Sequence, residues 1–93
     1  MLEEILTASR ARDGDALAEL YDEHAVWLAP EGTLRGREAA VAAHAAIASD
    51  AVGWSAPQQN GARAALRWSG ASGARGAIVV EIRRGRVIFA ASA

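Results

Sequence analysis

Residues 76–90, GAIVVEIRRGRVIFA, alternate apolar and polar side chains on either side of an Arg84-Gly85 break. Ile78, Val80 and Ile82 fall on one side of an extended chain; Val79, Glu81 and Arg83 fall on the other. A two-residue turn at Arg84-Gly85 sets Ile82 opposite Val87 and Val80 opposite Phe89, all on one face. Working backwards, Ala64, Leu66 and Trp68 alternate with Arg63, Ala65 and Arg67. A turn centred near Ser72 and Gly73 sets Trp68 opposite Ile78 and Leu66 opposite Val80, on that same face. Two independent turns therefore define one apolar sheet face. Further back, a two-residue Asn60-Gly61 turn directs Trp54 outward. A three-residue loop with Gly61 left-handed sets Trp54 opposite Leu66 and Val52 opposite Trp68. The second is preferred, because it places both tryptophans on the apolar face.

The first half has a helical period instead. Leu2, Ile5, Leu6 and Ser9 share one face of a helix over 2–11. Asp13-Gly14-Asp15 breaks it and caps a second helix over 15–22, with Leu17, Leu20, Tyr21 and His24 on one side. A strand runs from His24 to Ala29 and stops at Pro30. Residues 33–36 return beside it. Residues 37–49, REAAVAAHAAIAS, are alanine-dense and form the best helix of the chain. Val41, His44, Ile47 and Ala48 make its stripe. Helices first and antiparallel hairpins after them define an α+β domain over 1–93.

The bulk composition excludes several classes of function. There is no cysteine, hence no disulfide and no thiolate ligand or nucleophile. All ten basic residues are arginine, spread from Arg10 to Arg86, and the formal net charge is −1. Nucleic-acid binding is not expected. The absence of lysine beside abundant alanine and arginine reads as a GC-rich genome. The acidic start holds no long apolar run, so neither a leader nor a membrane span is expected. With no cysteine either, a cytoplasmic location is expected. Two histidines without a spaced carboxylate set give no metal site, and no cofactor is expected.

The order helix, helix, hairpin, helix, four strands resembles the nuclear transport factor 2-like superfamily, in its SnoaL-like and ketosteroid-isomerase-like branches. The resemblance runs through ARDGDALAELYDEHAVWLAP (11–30), GTLRGREAAVAAH (32–44) and GAIVVEIRRGRVIFA (76–90). It implies a cone: a strongly bent mixed sheet wrapped around the helical hairpin and the third helix, with a pocket between that helix and the concave sheet face. It also implies a homodimer through the outer sheet face. The outer face is expected to carry Ala65, Val79, Ile88 and Ala90 among arginines. The chain departs from the isomerases where their chemistry lies. Ala29 stands at the position of the base, and Ile5 and Ile78 stand near those of the oxyanion donors. The isomerase activity does not carry over.

The expected pocket is lined by Trp27, Ala29, His44, Trp54, Leu66, Trp68, Ile78 and Val80, and would take a small apolar molecule. His44 and Tyr21 are the candidate catalytic pair: an imidazole on the helix stripe can serve as a general base. The plain alternative is a buried histidine bonded to Tyr21 or to a backbone carbonyl. The three tryptophans equally read as core filling. Glu31, Arg35, Arg37 and Glu38 could gate a pocket mouth or simply be solvated. Arg67 and Glu81 could pair across the outer ladder. Three readings follow: a small-ligand domain, a small cyclase, isomerase or dehydratase using His44, and a homodimeric scaffold with a filled interior.

Overall fold

The computed structural model describes residues Met1–Ala93. Three helices, α1 (Leu2–Ala11), α2 (Gly14–Leu20) and α3 (Arg37–Asp50), pack against a seven-stranded mixed sheet. The strands are β1 (Tyr21–Ala29), β2 (Gly32–Arg35), β3 (Ala51–Trp54), β4 (Gln58–Asn60), β5 (Arg63–Gly70), β6 (Arg75–Arg83) and β7 (Arg86–Ser92). Their order is β2-β1-β7-β6-β5-β3, with β4 pairing β5 beyond the end of β3. Only β1 and β7 run parallel; the other pairs are antiparallel. The result is the open, cone-like α+β architecture expected. No helix is long and apolar enough to cross a membrane.

Local chemistry explains the helix ends. Asp13 accepts a hydrogen bond from the Ala16 amide at 3.1 Å and so caps α2. The chain becomes extended at Tyr21 (φ −90°, ψ 139°). The second helix is therefore shorter than its sequence suggested, and Tyr21 and His24 belong to β1. Tyr21 pairs with Val87 of β7, and sheet pairing outweighs the weak propensity of a helix this short. Arg12 ends α1 in the left-handed region (φ 55°). Its guanidinium donates to the carbonyls of Ala48 (3.2 Å) and Ala51 (3.3 Å). Those two bonds tie α1 to the last turn of α3 and satisfy carbonyls at that helix end. On α3 the fully buried line is Ala40, His44 and Ala48, at spacings of four. Val41 and Ile47 flank it, half-buried against the core.

The hairpins keep the expected faces but not every register. Arg84 and Gly85 both take positive φ (53° and 75°). Ile82 lies opposite Val87, as a two-residue turn requires. Past that point a bulge intervenes. Glu81 faces Phe89 while Ile82 faces Val87, so Ile88 is an extra residue on β7. Val80 consequently faces Ala90, not Phe89. Ala90, expected outside, is fully buried, and Phe89 stands beside Glu81 on the outer face. The β5–β6 pairing is slid by two residues: Leu66 faces Ile78, and Trp68 faces Gly76. A Cβ at Gly76 would lie 3.0 Å from the Trp68 ring, so the glycine makes room for the indole. On β3 a second irregularity brings Trp54 opposite Trp68 and leaves Val52 unpaired and 67% exposed. The tryptophans share a face as expected, but Val52 does not join them.

Candidate functional site

His44 lies at the centre of the molecule. Its ring is fully buried, edge-on to Tyr21 (centroids 5.8 Å, 89°), tilted against Trp27 (6.0 Å, 54°) and stacked with Trp54 (6.5 Å, 28°). Three elements place these groups: α3 supplies the histidine, β1 supplies Tyr21 and Trp27, and β3 supplies Trp54. A fourth element, α1, supplies the fifth side chain, Ser9, also fully buried.

The protons can be assigned by elimination. Ser9 Oγ donates to the Ile5 carbonyl at 2.7 Å, which uses its single proton. The 2.8 Å contact between Ser9 Oγ and His44 Nε2 must then run the other way, with Nε2–H donating. Nδ1 of the neutral ring is left as an acceptor, and the Tyr21 hydroxyl donates to it at 2.8 Å. The chain therefore runs from Tyr21 through His44 and Ser9 to Ile5, each proton engaged. Burial reinforces this protonation state, because it disfavours charge on either ring. It lowers the His44 pKa from 6.5 to about 4 and pushes the Tyr21 phenol well above its ordinary value.

The other expected site residues gather around this centre. Trp27, Leu66, Ile78 and Val80 are buried in the same core, and Ala29, Trp54 and Trp68 pack against it, partly covered. Five principal clefts open on the surface, and none is lined by His44, Tyr21 or Trp27. Ile5 and Ile78, which the resemblance sets near the isomerase oxyanion donors, are fully buried.

The charged residues near the first hairpin do not converge. Glu31, Arg35 and Glu38 are exposed, while Arg37 donates to the Tyr21 carbonyl at 3.0 Å. The expected partner of Glu81 is also corrected. The two-residue slide brings Arg63 opposite Glu81 and carries Arg67 further away, and Glu81 pairs with Arg63 (3.2 Å) and Arg83 (3.5 Å). Ser9 is the residue that the site reading missed. Its signal was present: a serine on the apolar stripe of the first helix needs a buried partner.

The comparisons with known proteins agree with this architecture. The family model for the SnoaL-like domain matches residues 2–90, and the chain belongs to that family. Among solved structures, a SnoaL-like protein of unknown function from Burkholderia thailandensis superposes with a TM-score of 0.79 at 24% identity, over 98% of this chain and 88% of that one. An NTF2-like protein of unknown function from Mesorhizobium loti gives 0.78 at 26%, over 97% and 84%. A Sinorhizobium meliloti protein named as a candidate polyketide cyclase gives 0.73 at 22%, over 94% and 87%. Among curated proteins none matches.

Proposed function

We propose that this chain is a non-catalytic SnoaL-like module that acts as a homodimer, its interior filled by its own aromatic side chains. The observation that carries the reading is the closed proton chain at His44. A general base must reach its substrate, and this imidazole has both nitrogens engaged inside a packed core.

The outer sheet face supports self-association. Leu28, Ala91, Val79 and Ala65 form one row across β1, β7, β6 and β5, and Val26 and Phe89 begin the next. Leu28 is 39% exposed, and the ion pairs of Glu81 with Arg63 and Arg83 flank the rows. An apolar centre with a charged rim is the anatomy of a specific interface. Light scattering at micromolar concentration tests it: the dimer mass is expected, and Leu28→Glu with Val79→Glu should give a folded monomer. A monomeric wild type would overturn this part of the reading.

One observation favours a second reading, in which a small apolar molecule binds between α3 and the sheet. Trp54, on the short edge strand β3, is only half-buried and stacks on His44. Its displacement would uncover the imidazole. Native mass spectrometry of freshly purified protein separates the readings: a bound small molecule supports the second, and bare protein mass supports the first.

A further inference from the structure

The chain has three carboxamide side chains, Gln58, Gln59 and Asn60, and they stand in a row along β4. Asn60 is the sole asparagine, and a glycine follows it. The strand is three residues long and pairs only with β5, off the main path of the sheet. Asn60 lies opposite Arg63, so Gly61 and Ala62 are the two residues of the turn between them. Gly61 takes φ 63° at the first turn position, where glycine is at ease. Every residue from Gln58 to Arg63 is exposed.

Two groups at this turn are chemically matched, and the fold restrains neither. The Asn60 carboxamide makes no hydrogen bond, and neither does the Gly61 N–H. The turn is held by Gln59 Nε2, which donates to the Gly61 carbonyl (3.2 Å), and by the Ile82 N–H, which donates to the Ala62 carbonyl (2.8 Å). Gly61 has no Cβ to obstruct an approach to its nitrogen, and no atom stands within 4 Å of where one would be. Asp13-Gly14, the one aspartate–glycine pair of the chain, is the contrast. Its carboxylate is tied down as the cap of α2, accepting from the Ala16 amide at 3.1 Å.

We propose that Asn60-Gly61 is a site of spontaneous deamidation, and that the modification releases β4 from the sheet. The Gly61 nitrogen attacks Asn60 Cγ. The N–Cγ bond forms, the Cγ–Nδ2 bond breaks, the Gly61 amide proton goes to the departing nitrogen, and ammonia leaves a five-membered succinimide. Water then opens the ring. Cleavage at Cγ gives aspartate; cleavage at the main-chain carbonyl gives isoaspartate, with the backbone rerouted through Cβ and Cγ. Overall one water enters and one ammonia leaves, with no oxidation or reduction. Either product takes the formal net charge from −1 to −2. Isoaspartate also adds one carbon to the backbone at the residue that closes the turn with Arg63. The same two-residue turn can then no longer close. A strand held by three pairs that loses one is not kept on the sheet. Its departure uncovers the edge of β5 from Arg63 to Ala65.

The test incubates the purified protein, native and unfolded in urea, in mildly alkaline buffer at body temperature. Intact mass, tryptic peptides and hydrogen exchange are the readouts. The native chain should gain one mass unit, located at Asn60 in the tryptic peptide that ends at Arg63. Electron-transfer fragmentation should find isoaspartate among the products. Conversion of the native chain should run within about tenfold of the urea-unfolded rate, because a short exposed edge strand opens at little cost. In the modified fraction the β5 amides that pair with β4 should exchange faster, while those between β6 and β7 keep their protection. Asn60→Ser should gain no mass and keep the β4 pairing. Asn60→Gln, whose ring would need six members, is a second control and should convert far more slowly. A native chain still unmodified after about ten times the period that converts the unfolded one, a mass gain that persists in Asn60→Ser, or a modified fraction with fully protected β5 amides would each overturn the proposal.

Discussion

Ser9 and His44, 35 positions apart in the chain, meet at 2.8 Å between Oγ and Nε2, and the serine has already given its proton to Ile5. That single fact orients the imidazole. It makes the ring a donor toward α1 and an acceptor toward β1, so the histidine joins helix to sheet through two directed bonds.

Removing either partner should leave one nitrogen unpaired in the core. Ser9→Ala strands Nε2–H, and Tyr21→Phe strands Nδ1. Each is expected to cost about 1–3 kcal/mol, the penalty for a buried unsatisfied polar group. Urea unfolding measures it. The double variant should cost less than the sum, because a ring with both partners gone can be repacked.

Acid should weaken the fold through the same ring. With the native pKa lowered to about 4 from 6.5, the unfolded chain takes up a proton below about pH 6.5 while the native one does not. The contribution is intact above that value, shrinks as pH falls, and is fully lost below about pH 4. The whole window is worth about 3 kcal/mol. Unfolding free energies of wild type and His44→Gln at pH 7 and pH 5 should show the steeper fall in wild type.

Arg12 offers a test of helix docking. Arg12→Ala removes the two bonds to Ala48 and Ala51 and leaves a side chain in the left-handed region, at an expected cost of about 1–2 kcal/mol. Arg12→Gly loses the same bonds but relieves the backbone, so it should be less destabilising than alanine. Thermal unfolding of the pair gives the order.

No turnover is expected in a Δ5-to-Δ4 ketosteroid assay. Ile5 and Ile78 are sealed in the core, and Ala29 has no titratable group. Loss of one oxyanion donor typically removes ~10²–10³ in rate. Turnover abolished by His44→Ala would show that the imidazole reaches substrate after all.

Periodicity made much of this legible. The ends of α1 and α3 fall within one residue of the sequence reading, and the shared face of Leu66, Trp68, Ile78 and Val80 follows from alternation alone. What failed was non-local. Val87-Ile88-Phe89-Ala90 is apolar throughout, so nothing in it marks which residue is extra. Only the demand that Val87 and Ala90 both enter the core selects Ile88. At the site, the Tyr21 contact was weighed from sequence, whereas the serine was not. Its place on an apolar stripe was visible, but its partner lies on a helix that the fold alone brings near.

The bulge at Ile88 makes β7 a strand that tolerates a change of length. Every residue beyond it keeps its face because the bulge leaves one amino acid out of the alternation. Deleting Ile88 would leave Val87 opposite Ile82, Phe89 opposite Glu81 and Ala90 opposite Val80, a regular ladder with the same residues inside and outside. A lineage carrying this fold can thus gain or lose this codon without exchanging interior for surface, because the bulge takes up the extra residue.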